Sequence, residues 1–170
     1  MPSAPFRVKS TLSKGRFVSA CECPTKLYYK CHSEEYLDTG VDDEFLMALA
    51  QGGFQVGELA KLDYPGAIDH SNLKPDESWE QFQNAIRSAQ PGERMVFFEP
   101  TVLSGVLLVR ADILEYQDGT FRLHEVKSKS SPEDELPVMT TRADPVTGRN
   151  WIRSNWAPYI YDVTFQAHVI

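Results

Sequence analysis

An Asp-Gly pair, Asp118-Gly119, constrains the fold of this chain more than any other feature, because it lies between two strand-like segments. The surrounding stretch "GVLLVRADILEYQDGTFRLHEVK" is rich in β-branched, aliphatic and aromatic residues on both sides of the pair. Asp-Gly favours two-residue hairpin turns, whose backbone requires positive φ. A two-residue loop fixes the register of the two strands. We therefore expect Tyr116 to lie opposite Phe121 and Asp112 to lie opposite Glu125.

This register brings two carboxylates together at the end of the hairpin. Directly opposed residues have Cβ atoms about 5 Å apart, so Asp112 and Glu125 repel each other unless one is protonated or a cation lies between them. Lys127 follows Glu125 by two residues, and an extended strand places both on one face. A magnesium ion would compensate the two acids more fully, because it prefers oxygen ligands. An ordinary exposed charge cluster at the end of a sheet is the alternative interpretation.

The composition is that of a soluble globular protein. A chain of 170 residues with 42% hydrophobic residues is expected to form a single domain, spanning 1–170. There is no apolar run of the roughly 18 residues that a membrane span needs, and residues 1–10 contain no signal-peptide core. Three cysteines argue against a disulfide framework and favour a cytoplasmic location. The last residues form an apolar periodic segment without a capping signal, which predicts that the domain is excised from a longer protein.

The net charge of −7 argues mildly against general nucleic-acid affinity, but the charge is unevenly distributed. Residues 1–30 contain six basic residues and one acidic residue. A basic N-terminal segment beside an acidic site suits a substrate that carries phosphate. A solvated charged face is the more ordinary explanation for such a run.

Periodicity and turn residues predict the remaining elements. Asp42 or Asp43 is a candidate N-cap for the first main helix, and Pro91-Gly92 is expected to end the second. The predicted elements are a helix over 41–51, an interruption at Gly52-Gly53, a helix over 54–62, an amphipathic helix over 76–90, strands over 95–103, 105–117 and 120–128, a polar loop over 129–150 in which "ADPVTGR" forms a turn between two short strands, and a closing helix from about Pro158.

Glu58 is a second candidate acid on the predicted helix 54–62. Its i−4 and i+4 neighbours, Phe54 and Leu62, form an apolar stripe that is expected to face the core. An acid within such a stripe is expected to be partly buried, although many such acids reach the solvent at the edge of the stripe.

The order of these features resembles the PD-(D/E)XK nuclease superfamily, and more narrowly its RecB-like branch, which includes CRISPR-adaptation nucleases. The opening "SKGRFVSACECPTKLYYK" is similar to the N-terminal motif of that branch, and "GGFQVGELA" is similar to its first conserved helix. "VRADIL" with "LHEVKSKS" resembles the catalytic hairpin, and "YDVTFQAHVI" resembles the glutamine helix. The resemblance extends to the N-terminal domain of an uncharacterised bacterial family of longer proteins. It implies an α/β (α+β) domain with a restriction-endonuclease-like core: a mixed central sheet with a three-stranded meander flanked by helices.

The resemblance also implies a metal-dependent deoxyribonuclease that acts in DNA repair, recombination or defence. Asp112 and Glu125 would bind Mg²⁺ or Mn²⁺ together with the backbone carbonyl of Val126, and Glu58 would be a further ligand. Lys127 would orient the attacking water or stabilise charge on the phosphate, and Gln166 would position the hairpin residues or contact DNA.

Further implied partners are DNA, single- or double-stranded, and the C-terminal remainder of the parent protein, with no membrane. Arg16, Lys26 and Tyr28 are candidate contacts to the DNA backbone. Two departures from the branch pattern are that Gly57-Glu58 stands where a histidine is common and that Ile170 stands where a tyrosine is common. A nucleic-acid-binding module of the same fold with weak or no catalysis remains an alternative, as does an unrelated hydrolase or structural domain.

Overall fold

The computed structural model of the chain describes residues 11–36, 44–128 and 144–170. Within these ranges the protein is a mixed α and β structure with two mixed sheets. The helices are α1 (Lys14–Glu22), α2 (Pro24–Cys31), α3 (Glu44–Lys61), α4 (Pro75–Ser88) and α5 (Ala157–Val169). The strands are β1 (Leu12–Ser13), β2 (Ile68–Asp69), β3 (Arg94–Phe98), β4 (Thr101–Ser104), β5 (Leu107–Arg110), β6 (Ile113–Gln117) and β7 (Thr120–His124).

The hairpin predicted around Asp118-Gly119 is confirmed. Strands β6 and β7 are antiparallel, with Tyr116 opposite Phe121 and Leu114 opposite Leu123. Both turn residues have positive φ, 47° at Asp118 and 78° at Gly119, as a two-residue hairpin loop requires. The prediction that the second strand reaches residue 128 is wrong, because β7 ends at His124 and the acid and lysine that follow it lie just beyond the strand.

A bend divides each of the other two predicted strands in two. Strand β3 pairs with β6 and β4 pairs with β5, both antiparallel and in the same register. The strand pairing is interrupted between them, at Glu99-Pro100 on one side and Ala111-Asp112 on the other. The interruption has a local cause, since Glu99 adopts a φ of +50° and proline has no backbone N–H for the ladder. Two backbone hydrogen bonds still cross the bend, from Glu99 N to Asp112 O at 3.0 Å and from Ala111 N to Pro100 O at 3.2 Å.

Because of the bend, the long hairpin formed by β3–β4 and β5–β6 contributes strands to two sheets. On one side of it the strand order is β1-β5-β4, and on the other side it is β2-β3-β6-β7. The short strands β1 and β2 pair in parallel with β5 and β3, whereas the other pairs are antiparallel. Asp112 therefore lies where the meander changes from one sheet to the other.

Helices on the meander close the hydrophobic core. Helix α4 packs against β4, α5 packs against β4 and β5, and α1 packs against α5. Phe97 and Leu114 have no exposed surface, and the ring of Phe82 on α4 meets that of Phe97 at 5.0 Å. Phe17 of α1 stacks on Phe165 of α5 with ring centroids 4.7 Å apart. The last contact fixes α1 beside α5, at the end of the hairpin.

The predictions for the first main helix are wrong in two respects. Helix α3 runs without interruption through Gly52-Gly53, since glycine costs only about 1 kcal/mol per residue in a helix and does not by itself break one. The apolar stripe also faces solvent, with Phe54 68% and Leu62 75% exposed. The proposed N-cap residues, Asp42 and Asp43, lie outside the described residues.

The predicted turn and closing helix are confirmed, whereas the two short strands predicted around the turn are not found in the described residues 144–156, where Ile152 alone forms a β-bridge. Asp144 begins the predicted turn and accepts backbone hydrogen bonds from Val146 and Thr147 at 2.9 and 2.8 Å. Helix α5 begins at Ala157, with Pro158 in its first turn, where its missing N–H costs nothing. Residues 129–143 of the predicted loop lie outside the described residues. No helix in the described part of the chain is long and apolar enough to span a membrane.

Candidate functional site

The end of the β6–β7 hairpin brings the two predicted acids together. Ile113 and His124 are the last pair of the ladder; Asp112 immediately precedes Ile113 and Glu125 immediately follows His124, so the same register continued by one step sets the two acids opposite each other. Oδ2 of Asp112 accepts a hydrogen bond from the backbone N–H of Val126 at 2.8 Å, which ties the two chain segments together beyond the ladder. Burial raises the pKa of Asp112, and the two carboxylates are close enough that the charge of Glu125 raises it further.

Glu125 forms a ring of alternating charges with two lysines and a third acid. The ammonium group of Lys127 contacts Oε1 of Glu125 and lies 3.2 Å from Oδ2 of Asp162 on α5. Lys14, the first residue of α1, reaches the same two acids, at 3.1 Å from Oε1 of Glu125 and 3.8 Å from Oδ1 of Asp162. Lys14 is also 3.9 Å from Oδ1 of Asp112. We call Lys14, Glu125, Lys127 and Asp162 the charged ring.

Gln166 crosses the charged ring from α5. Its side chain is fully buried, and its Nε2 donates hydrogen bonds to Oε2 of Glu125 at 2.6 Å and to Oδ1 of Asp162 at 3.0 Å. Because both neighbours are acceptors, the amide nitrogen must face them. Within the described residues Oε1 of Gln166 is buried without a hydrogen-bond partner. Gln166 thus helps to fix the position of the Glu125 carboxylate.

Burial and the charged ring act on the two hairpin acids in opposite ways. Burial alone raises the pKa of Glu125, but the hydrogen bond from Lys127, the charge of Lys14 and the hydrogen bond from Gln166 lower it to about 2. Burial and the charge of Glu125 raise the pKa of Asp112, and Lys14 and the Val126 N–H offset this only in part. Asp112 is therefore the less well compensated of the two acids.

Asp112 lies on a cleft between α3 and the hairpin. The cleft has a volume of about 300 Å³, and its polar lining includes Glu58, Lys61, Glu99, Asp112 and Lys127. The structure thus places Glu58, Asp112, Val126 and Lys127 along one cavity. The prediction of a partly buried Glu58 is wrong, because its residue is exposed and its carboxylate pairs with Lys61 at 2.8 Å.

The three candidate DNA contacts lie on the α1–α2 side of the charged ring and differ in what they do. Lys26 lines a second cleft of about 280 Å³, whose other charged residues are Lys14, Glu22, Lys30 and Asp162. We call this the basic cleft. Lys26 there pairs with Glu22.

The other two candidates have structural partners. Arg16 donates a hydrogen bond to the backbone carbonyl of Thr11 at 2.7 Å. Tyr28 stacks on His32 with ring centroids 4.2 Å apart. Among the three candidates, Lys26 is the one that lines the basic cleft.

Sequence reasoning missed two residues of the site, Lys14 and Asp162. Asp162 precedes Gln166 by four residues, which places both on one helix face, so helical spacing could have found it. Lys14 follows Ser13, whose hydroxyl caps α1 by accepting from Arg16 N at 3.4 Å. The cap predicts a helix start, but nothing local indicates that the lysine reaches a hairpin more than one hundred residues away.

The side chains of the site suit a hard divalent cation in their chemistry. Carboxylate and carbonyl oxygens are the ligands that Mg²⁺ and Mn²⁺ prefer, and Mg²⁺ keeps several waters, so two carboxylates and one carbonyl are enough. Lys14 already places one cationic group within 4 Å of Asp112, Glu125 and Asp162. Among the described residues, however, no group of three or more His, Cys, Asp or Glu is arranged to hold a metal ion.

Comparison of the chain with protein-family models, curated proteins and solved structures gives no match.

Proposed function

We propose that this protein is a metal-dependent nuclease domain that hydrolyses phosphodiester bonds of DNA, built on a restriction-endonuclease-like core. The observation that carries the proposal is the convergence of Asp112, Glu125 and Lys127 at the end of one hairpin, with Gln166 hydrogen-bonded to Glu125. Asp112 and Lys127 line one cleft and the side chain of Glu125 lies buried beside them, so two carboxylates and an amine form a candidate site for a divalent cation and a phosphate. The three-stranded meander between α4 and α5 is consistent with such a core.

Each residue has a separate task in this proposal. Asp112 and Glu125 hold the divalent ion, and the carbonyl of Val126 is a further ligand on the same cleft wall. When bound, the ion polarises the scissile phosphate and acidifies a water molecule. Lys127 places its ammonium group beside Glu125, where it stabilises negative charge that develops on the phosphate.

Two further residues support this group. Gln166 fixes the carboxylate of Glu125 through its amide N–H. Glu58 lies on the same cleft and is available as an additional ligand once it releases Lys61.

A binding module of the same fold, with weak or no catalysis, is the second candidate. It is favoured by the ion pairs that already satisfy Glu125, and by the fact that no group of three or more His, Cys, Asp or Glu among the described residues is arranged to hold a metal ion. In that case the lysines would serve only to fix the hairpin against α1 and α5.

Calorimetric Mn²⁺ titration of the wild-type chain and of Glu125→Gln separates the two candidates. The substitution keeps the shape of the side chain but removes the charge that a metal needs. We expect the wild type to bind manganese and to cleave single- or double-stranded DNA in its presence, and Glu125→Gln to lose both properties.

Glu80→Gln is the matched control, because Glu80 is an exposed acid on α4 that lines neither cleft. It should bind manganese and cleave DNA like the wild type. Binding of DNA without manganese binding or cleavage would contradict the nuclease proposal and favour the binding module. Equal cleavage by the wild type and Glu125→Gln would exclude this site as the source of any activity.

A further inference from the structure

The carboxylate of Glu125 has no lone pair left for a metal ion in this arrangement. A carboxylate offers about four acceptor positions, two on each oxygen. Oε1 contacts the ammonium groups of Lys14, at 3.1 Å, and Lys127. Oε2 contacts Lys14 at 3.3 Å and the amide of Gln166 at 2.6 Å. A divalent ion can therefore bind Glu125 only if one of these donors moves away.

Lys14 is the donor whose place a cation would take. It is the one residue of the charged ring within 4 Å of all three acids, Asp112, Glu125 and Asp162. Its two bonds to Glu125 are longer than that of Gln166, and its distances to the other two acids are 3.8 and 3.9 Å, longer than good hydrogen bonds. The Lys14 ammonium group thus lies among three carboxylates at distances of 3.1 to 3.9 Å, as expected of a counter-ion shared by several acids.

The basic cleft gives the displaced ammonium group a place to go. Lys14 lines this cleft together with Lys26 and Lys30. A lysine side chain has four rotatable bonds, so its ammonium group can turn from the acids toward the cleft without a change in the backbone. There its ammonium group would lie farther from Glu125 and closer to the other two lysines. The cleft also contains Glu22 and Asp162.

We infer that Lys14 is a built-in counter-ion that keeps the three acids together before metal binds and is displaced by the divalent cation. This inference rests on the proposed function, because it concerns the same metal site. It assigns Lys14 a positioning role: the lysine prevents mutual repulsion of the acids in the metal-free protein and competes with the ion for Glu125.

Mn²⁺ affinity of Lys14→Gln, measured by calorimetry, tests the inference. Loss of a competing unit charge within 4 Å of the ligands should tighten Mn²⁺ binding by at least about tenfold. Lys14→Arg keeps the charge and should stay within about threefold of the wild type. Arg87→Gln is the control: Arg87 is an exposed basic residue of α4 that lines neither cleft and hydrogen-bonds Asn84 and Gln83, so its loss should leave Mn²⁺ affinity unchanged.

A second readout is the thermal midpoint with EDTA and with saturating Mn²⁺. Without metal, Lys14→Gln should melt below the wild type, because the acids lose their counter-ion, and Mn²⁺ should raise its midpoint by more than it raises that of the wild type. This comparison also covers the case in which the variant folds only with metal. Binding by the variant alone, with none by the wild type, would overturn the inference, because the metal would then not displace Lys14.

Other outcomes overturn it in distinguishable ways. If the wild type and Lys14→Gln bind Mn²⁺ with equal affinity, or the variant binds more weakly, Lys14 does not compete with the metal, and the proposed function stands. If neither protein binds Mn²⁺ or is stabilised by it, the inference and the proposed function fall together.

Discussion

Gln166→Glu is the substitution that most directly tests the electrostatics of the site. It changes one atom type at a fully buried position and replaces an amide N–H group by a carboxylate oxygen beside two acids. Two hydrogen bonds to charged groups are lost, at 2.6 and 3.0 Å, and such bonds contribute about 1.5–3 kcal/mol each. A loss of at least about 3 kcal/mol, before any repulsion, lowers the melting temperature of a domain of this size by about 6–12 °C.

The loss of stability in Gln166→Glu should depend on pH, which a pure packing effect would not. The introduced carboxyl lies beside Glu125 and Asp162, so its pKa is raised above the ordinary value near 4.3. A raised folded-state pKa of an acid means that the destabilisation is fullest above that pKa and shrinks as the pH falls through it. Thermal melts in EDTA at pH 8 and pH 5 should therefore show a larger deficit at pH 8.

Gln81→Glu is the matched control, because Gln81 is exposed on α4 and away from the charged ring. Its melting temperature should follow that of the wild type at both pH values. A Gln166→Glu variant that is as stable as the wild type at pH 8 would refute the described hydrogen bonds. A deficit that is equal at the two pH values would refute the electrostatic reasoning.

Three further substitutions test the hairpin and the core. Phe97→Ala should lower the free energy of unfolding by about 3–5 kcal/mol in urea titration, because it opens a cavity at a fully buried site; a loss below about 1 kcal/mol would contradict that burial. Gly119→Ala should cost about 1–2 kcal/mol by thermal melts, since φ there is +78°, and no loss would argue against the tight turn. Glu115→Gln should destabilise at pH 7 and progressively less as the pH falls below the ordinary glutamate range. Burial raises the pKa of Glu115, but Arg94 and His124 together bring it below its usual value, so the stabilisation by the ionised carboxylate is lost on acidification. A pH-independent difference in melting temperature would refute that pairing.

The parts of the fold that were predictable from sequence are those that depend on neighbours in the chain. The Asp118-Gly119 turn fixes the β6–β7 register through two residues, and the register then places Asp112 beside Glu125 without any further information. Helix α4 has Pro75 in its first turn and ends before Pro91-Gly92, as the turn residues predict. In these elements local preference and tertiary structure agree.

The charged ring was only half predictable, because its two sides come from distant segments. Lys14 and Glu125 are 111 residues apart, and Lys127 and Asp162 are 35 residues apart. Their contact depends on the Phe17–Phe165 stack, which fixes α1 against α5, and that stack has no local signature in either segment. The positions of the hairpin acids can therefore be predicted from the sequence pattern, whereas the residues that pair with them are determined by tertiary packing.

Helix α3 shows the opposite limitation, because its local pattern predicts a buried apolar face that the tertiary structure leaves exposed. An apolar stripe at i, i+4, i+8 predicts a face that needs burial, but it does not say which element covers it. Phe54 and Leu62 remain largely exposed among the described residues, and so does Glu58 between them. The inference of a buried acid failed because it assumed a partner that periodicity alone cannot supply.

The bend in the long hairpin explains why the candidate site is located at Asp112. A residue inside a regular ladder has its backbone fixed on both sides, and its side chain points squarely to one face of the sheet. At the bend, the backbone carbonyl of Asp112 still accepts from Glu99, while its side chain turns to the Val126 N–H across the hairpin. The same break ends β7 at His124, which releases Glu125 and Lys127 from strand geometry so that both reach Asp162 or its neighbours on α5. The positive φ of Glu99 and the proline that follows it thus interrupt the sheet at this point. Side chains from both sheets and from two helices can meet there, and this is where the acids, lysines and glutamine of the site lie.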